Sequence, residues 1–379
     1  MNYRTYLTDD VLPFWLNHSL DKLEGGILTS LDKLGNVIDT QKNIWFVGRS
    51  LWSFSVAYRL IEPKKEYMDA CEILFDFFKK CELPGGYLPQ KTSRTGECLL
   101  YTGLYHSEAY CAMGCAQYYR ICKKEEVKKR CEQYFDIAYK KFNNPETKIV
   151  VPAGEVPYTT FGIEMLMLNL AQFVRNAGIR VEECNTLAQK CIYNLQNKGH
   201  ISDEQKRVYE YLPTTSEELP AGKKNNSCPG HVFEAAWFVM CEGVYKNDES
   251  LKNFGIKLME YAMPKDFEKT TSLIPMGLGS TCSKGYAWWP QCEAIIAYRL
   301  GFYLTKNPKY LKISKQIEDF AFSHFADFKN GEWYAEVFED GSVKDSDKGS
   351  FVKGPFHIPR TLIALAMLEE TQTIKNYIS

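Results

Sequence analysis

The sequence predicts an all-α fold, built from helical hairpins set in a ring. Three observations predict it. Apolar residues recur at helical spacing in about a dozen segments of ordinary length. Strand-like runs are few and short, and no βαβ alternation runs along the chain, which excludes a Rossmann or TIM-type sheet. Alternate helices are entered through loops rich in Gly, Pro and aromatic residues, an arrangement that gathers those loops at one open end.

The segments follow in order. Helical patterns lie near 9–20 and 42–60, and residues 66–80 carry Tyr67, Cys71, Leu74, Phe75 and Phe78 at helical spacing. Patterns near 107–121 and 125–142 follow, then 163–174 with Ile163, Leu166, Met167, Leu170, Phe173 and Val174. Further segments lie near 180–197, 230–245 and 249–263. Residues 292–304 show Ile295, Ile296, Leu300, Tyr303 and Leu304, and patterns near 309–325 and 357–372 end the series. Short β-hairpins sit in the loops. Residues 333–338 precede Asp340-Gly341 and 342–344, a hairpin with a DG turn. Residues 26–31, closed by Leu34-Gly35-Asn36, form a second, and 208–212 a third short ribbon.

Composition narrows the function. The 379 residues carry 46 basic and 47 acidic side chains, a net charge of -1, which lacks the basic excess of a phosphate-neutralising nucleic-acid binder. No Ser/Gly-rich or charged linker is long enough to separate two units, so 1–379 is read as one domain. The N-terminus lacks a secretory pattern, and no apolar stretch approaches the roughly 18 residues of a membrane span. The 13 cysteines include no CxxC pair, which points to buried free thiols in a reducing cytoplasm rather than a zinc ribbon. Aromatic residues make up 14%, enough for a large core or an aromatic-lined cleft.

Candidate chemistry clusters at the helix entries. His231 follows Cys228-Pro229-Gly230 in a first turn, with Glu234 three residues on and on the same face. A carboxylate beside an imidazole fixes its tautomer and raises its basicity, although the same spacing suits a helix N-terminus with a favourable Glu. His357, in Gly354-Pro355-Phe356-His357-Ile358-Pro359-Arg360, sits at another entry with Arg360 three residues on, or is a packed loop histidine. Arg49 lies among Trp45, Phe46 and Trp52, where it either holds an oxyanion or pairs with a carboxylate. Trp288-Trp289-Pro290-Gln291-Cys292-Glu293 sets aromatic faces beside polar groups, as sugar sites do, or buries two core tryptophans. Glu108 and Asn169 are weaker candidates. HExxH, GxSxG and Walker motifs are missing, so metal and nucleophile readings do poorly and no metal is expected.

Taken together and in order, these residues resemble the N-acylglucosamine 2-epimerase family. The match runs from about 11 to 370 through Phe14-Trp15, Gly25-Gly26, Gly48-Arg49, Trp52, Ser107-Glu108, residues 165–169, Glu218-Leu219-Pro220, Pro229-Gly230-His231 with Glu234, the WWPQCE segment and the final FHIPR. The resemblance implies an (α/α)6 barrel, a toroid of helical hairpins, in a cytoplasmic and often homodimeric protein. It also implies interconversion of N-acetylglucosamine and N-acetylmannosamine with no cofactor required for the chemistry, in some members with ATP as an activator. On that reading His231 and His357 serve opposite faces of C2, and Arg49 stabilises the enolate on O1. Glu234 orients His231, and Glu293 binds hydroxyls or assists ring opening. Trp45, Trp52, Glu108, Asn169, Trp289, Gln291 and Arg360 bind the sugar. His106 departs from the family, which usually has Tyr or Phe there.

Overall fold

A computed structural model gives the three-dimensional structure. It describes residues 1–149, 156–264, 267, 273–278 and 285–375. The long helices fall into two classes, and their composition decides which. Helices α3 (Ile44–Leu60), α5 (His106–Cys122), α8 (Phe161–Asn176), α10 (Pro229–Lys246), α12 (Trp288–Thr305) and α14 (His357–Thr371) are apolar nearly all round. A helix with no polar face has to be buried. They form an inner ring in which each packs on the next and α14 returns to α3. Helices α4 (Lys65–Cys81), α6 (Glu125–Asn143), α9 (Val181–Asn197), α11 (Glu249–Ala262) and α13 (Pro308–His324) bury one stripe and charge the other. Each lies outside the inner helix that precedes it, and a short α7 (Pro145–Lys148) follows α6.

The sixth outer element is the N-terminal run α1 (Tyr3–Tyr6), a π-helical turn at Leu7–Val11 and α2 (Leu12–His18), of which α1 and the π turn pack on α14. That contact joins the two ends of the chain and completes the expected (α/α)6 barrel. Polar groups reinforce it: Arg4 forks onto Glu370, and the Tyr3 hydroxyl donates to Glu318 at 2.5 Å. Buried Arg299 donates to Glu318 at 2.5 Å and to Glu369 at 3.0 Å. The predicted helix near 9–20 is therefore part of a longer, interrupted run. Pro13 directly follows the π turn, so its missing N–H falls where the regular hydrogen-bond ladder of a continuous helical run is already broken.

In the inner ring α3 and α5 approach closely, and two glycines permit it. A Cβ on Gly48 would lie 2.6 Å from the Tyr110 carbonyl carbon, and one on Gly114 would lie 2.5 Å from the Gly48 carbonyl oxygen. With no side chain at either point the backbones nearly touch. The next residue, Arg49, is thereby set against Tyr110.

The strands are short and sit at the end where the inner helices begin. β3 (Lys42–Asn43) runs into α3, β6 (Tyr158–Thr160) into α8, and β10 (Tyr286–Ala287) into α12. β3 pairs with β4 (Lys91–Thr92), and β4 with β5 (Cys98–Leu100). The DG hairpin is present: β11 (Glu336–Val337) pairs with β12 (Val343–Asp345), and Gly341 takes the positive φ of 82° that its turn needs. The hairpin predicted over 26–36 appears as β1 (Ser30–Leu31) with β2 (Val37–Asp39). The ribbon predicted at 208–212 divides in two. β8 (Arg207–Val208) pairs with β7 (Ile201–Ser202), while β9 (Tyr211–Pro213) crosses to β6. Glu210 lies at the division. The twelve described cysteines form no disulfide with one another, and among the described residues no helix is long and apolar enough to cross a membrane.

Candidate active site

The six inner helices begin at one end of the barrel; His231, Trp289 and His357 occupy first turns, and Arg49 and Glu293 lie in second turns. Helix N-termini carry partial positive charge from unsatisfied N–H groups, so this end favours an anion or a developing oxyanion. A cavity of about 390 Å³ opens there, with Trp45, Arg49, His106, Tyr110, Glu210 and His231 on its wall.

His231 is one third exposed to this cavity, and its Nδ1 meets Glu210 Oε2 at 3.1 Å. A carboxylate oxygen accepts, so Nδ1 carries a proton and Nε2 is the nitrogen left for a substrate. Burial opposes protonation of this ring. The Cys228 sulfur and the Glu210 carboxylate outweigh it and hold His231 well above its ordinary value. Glu210 is itself anchored by its backbone, which accepts from Phe161 N at 2.8 Å and donates to Asn226 O at 2.8 Å.

His357 is only 5% exposed, and its Nδ1 lies 2.8 Å from Glu293 Oε1. Its Nε2 is again the free nitrogen, but its environment is the reverse. Burial first, then the guanidinium groups of Arg360 and Arg49, hold His357 well below the usual histidine range. The Glu293 carboxylate also accepts from Trp237 Nε1 at 2.9 Å and from Arg360 Nη2 at 2.6 Å, and Arg360 Nη2 donates to Glu234 at 2.5 Å. One buried guanidinium thus balances two buried carboxylates beside the histidine.

Trp289 joins the two histidines. Its ring centroid is 5.5 Å from that of His231 and 5.6 Å from that of His357. Gly230 makes the position possible, since a Cβ there would stand 2.1 Å from the Trp289 ring. Gly230→Ala is therefore expected to displace Trp289 and destabilise the fold by about 1–3 kcal/mol, the usual cost of overpacking. Urea denaturation beside a turnover assay checks this, and a variant with unchanged stability and activity would show that Trp289 is free to move.

Arg49 is held by aromatic faces. Its guanidinium lies 4.1 Å from the centroid of Tyr110, 4.7 Å from Phe356 and 5.1 Å from Phe46, and Nη2 donates to the Tyr110 hydroxyl at 2.6 Å. Among the described residues no carboxylate pairs with it, so the structural ion pair left open by the sequence is not formed. Its charge remains available to the cavity.

Several expected roles are corrected. Glu234 does not orient His231, because its carboxylate is taken by Arg360. Glu210, which sequence spacing did not reveal, does so. Glu293 is fully buried, with Oε1 against His357 Nδ1 rather than on the cavity wall. Arg360 is 1% exposed and pairs with two carboxylates, Glu234 and Glu293. Trp52 is fully buried edge-on to Phe173 and Phe356, each at 5.3 Å, behind the cavity wall. Glu108 accepts from Lys141 Nζ at 2.8 Å and Leu88 N at 3.1 Å and ties α6 to a loop. Gln291 holds Ile274 by two hydrogen bonds of 2.8 and 2.7 Å. Asn169 is buried within α8 and is not on the cavity wall.

Two groups bring metal-type donor atoms within 4.8 Å of one another: Glu210, Cys228 and His231, and Glu234, Glu293 and His357. In the second, Arg360 already supplies the balancing positive charge. In the first, an ion would have to replace the direct bond between Glu210 and His231.

The sequence model of N-acylglucosamine 2-epimerase (GlcNAc 2-epimerase) matches residues 25–353. The chain belongs to this family. Within it, the chain is 27% identical to the N-acylglucosamine 2-epimerase of Bos taurus, over 96% of this chain and 88% of that one. It is 22% identical to the cellobiose 2-epimerase of Dictyoglomus turgidum, over 93% of this chain and 94% of that one. The solved cellobiose 2-epimerase of Spirochaeta thermophila shares the fold, with a TM-score of 0.85 at 19% identity over 98% of this chain and 96% of that one. The relatives named here are carbohydrate isomerases.

Proposed function

We propose that this family member is a sugar 2-epimerase that interconverts N-acetylglucosamine and N-acetylmannosamine by proton transfer at C2. The observation that carries the reading is the pair of imidazoles. Each has Nδ1 tied to a carboxylate, both touch one tryptophan, and their environments push their proton affinities apart. Two titratable groups driven in opposite directions are how one site holds an acid and a base at the same pH. The relative of Bos taurus carries the N-acyl name and supports that substrate over a plain hexose.

In the resting enzyme His357 is neutral and His231 is protonated. The open-chain sugar presents its C2 proton to His357 Nε2. The C–H electrons form the C1=C2 bond, and the carbonyl electrons move to O1, where Arg49 and the helix N-termini stabilise the oxyanion. His231 then returns a proton from Nε2 to the opposite face of C2, and the carbonyl re-forms. The turnover leaves the two histidines with exchanged protonation, and solvent restores them.

The pH dependence follows. Loss of the neutral form of His357 requires a fall through a pKa below the ordinary value, and loss of the imidazolium of His231 a rise through one above it. The expected result is a broad plateau of kcat/KM across neutral pH, falling at both ends, rather than a narrow bell near 6.5. A proton NMR time course with N-acetylmannosamine, run with and without ATP across this range, is the test. Accumulation of N-acetylglucosamine supports the reading, and a ketose product would make the protein an aldose–ketose isomerase instead.

A further inference from the structure

The cluster of Glu210, Cys228 and His231 holds more donor atoms than the proposed mechanism uses. Glu210 comes from the link between β8 and β9, Cys228 immediately precedes α10, and His231 lies in the first turn of that helix. A carboxylate oxygen, a sulfur and an imidazole nitrogen thus come within 4.8 Å of one another. Among the described residues no lysine or arginine pairs with Glu210, unlike Glu234 and Glu293, which share Arg360. Cys228-Pro229-Gly230-His231 supplies two donors from one helical turn, and only the fold adds the third, so the missing CxxC pairs do not exclude a site here.

The distances suit a tetrahedral ion. Zinc lies about 2.0–2.2 Å from nitrogen and oxygen ligands, which sets two such ligands about 3.3 Å apart at tetrahedral angles. Glu210 Oε2 and His231 Nδ1 are already 3.1 Å apart. Gly162 keeps their surroundings open, since a Cβ there would lie 3.1 Å from Nδ1 and 3.4 Å from Glu210 Oε1. Its N–H donates to Oε1 at 3.3 Å, which orients the carboxylate and leaves Oε2 for an ion. A sulfur and an imidazole nitrogen select zinc-class ions over magnesium or calcium, which take oxygen ligands. Cys228 and His231 are half-buried, and Glu210 and His231 stand on the cavity wall, so an ion and a water as fourth ligand have access.

We propose that Glu210, Cys228 and His231 form a binding site for a zinc-class divalent ion, and that its occupancy disables His231. The ligands bind as carboxylate, thiolate and unprotonated Nδ1, so the ion replaces the proton between Glu210 and His231, and that proton leaves to solvent. The ring then keeps one proton, on Nε2, and can release it only as an imidazolate, so it no longer delivers a proton to C2. The site is one of inhibition and supplies no step of the chemistry. Its effect on turnover rests on the epimerase reading, but its occupancy is read by binding alone.

The test titrates chelator-treated, reduced protein with cobalt(II), whose thiolate complexes absorb in the near ultraviolet, and measures zinc affinity by competition with a chromophoric chelator. The wild-type protein is expected to form a one-to-one complex with a sulfur-to-cobalt band. Cys228→Ser is expected to lose the band, and Glu210→Gln to bind zinc at least about tenfold more weakly. Cys98→Ser, at an exposed thiol, is expected to keep both the band and the affinity. Zinc is expected to abolish wild-type turnover of N-acetylmannosamine, and EDTA to restore it. Failure to form a one-to-one complex, or a band that survives Cys228→Ser, overturns the proposal. So does zinc that binds through Cys228 and leaves turnover unchanged. Circular dichroism confirms folding, and if Cys228→Ser does not fold, Glu210→Gln decides: weaker zinc binding supports the site, and unchanged binding overturns it. Zinc-free protein that gives the cobalt band yet turns over no N-acetylmannosamine defeats the epimerase reading and supports the site.

Discussion

Replacing His357 with Asn is expected to lower kcat by about 10²–10⁴-fold while leaving the fold intact, because general acid–base catalysis contributes that much. Asn is similar in size and keeps a group to face Glu293, so the buried network of Glu293, Arg360 and Glu234 loses little. KM is expected to move much less than kcat, since the ring is nearly enclosed and acts on one proton. The matching change His231→Asn removes the other proton carrier and is expected to fall in the same range. The two variants need not be alike in exchange. With only one imidazole left, the proton at C2 can still be taken from one epimer and returned to the same face, so exchange without inversion is the expected residue of activity. Near-wild-type turnover in either variant would remove that histidine from the mechanism.

The second large effect is on stability. Arg360→Met is expected to destabilise the fold by about 3–5 kcal/mol, because it leaves the Glu234 and Glu293 carboxylates buried without their common cation. Urea denaturation monitored by circular dichroism reads it, and a loss below about 1 kcal/mol would place the pair in the class of exposed ion pairs. Arg360→Lys is the milder variant. It keeps the charge but not the fork that reaches two carboxylates. The same guanidinium is one of the charges that lower His357. Weakening its hold lets the His357 pKa rise, so the acid limb of the pH profile is expected to move to higher pH in the Lys variant. A purely structural arginine would not move that limb.

The helices were legible because their signal is local. The periods that marked 66–80 and 125–142 as amphipathic are those of α4 and α6, which bury one stripe against the inner ring. Boundaries were read less well. The helix predicted over 292–304 begins at Trp288, since Pro290 reads as a breaker but is harmless in a first turn. Whether Val208 and Tyr211 share a ribbon depends on partners at Ile201 and Tyr158, which no local pattern encodes.

The site divides the same way. Arg49, His231 and His357 stood out as unusual residue types at helix entries, and the ring of helices brings them to one end. Their carboxylate partners did not stand out. Spacing offered Glu234 to His231 because both lie on one helical face, but Arg360, on the inner helix two places further round the ring, takes that carboxylate. Glu210 reaches His231 from a loop 21 residues earlier, and Glu293 reaches His357 across 64 residues. Such pairings are made by closure of the ring, and the sequence shows only that acidic residues are at hand.

In the proposed mechanism two histidines trade a proton across C2 of an acylated sugar. It is tested most directly by incubating the wild-type protein with N-acetylmannosamine in heavy water and following C2 by proton NMR. Deuterium is expected at C2 of the N-acetylglucosamine formed, in step with its appearance, and at no other carbon. Epimerised product that retains its C2 proton, or deuterium entering at C1 of a ketose, would contradict it.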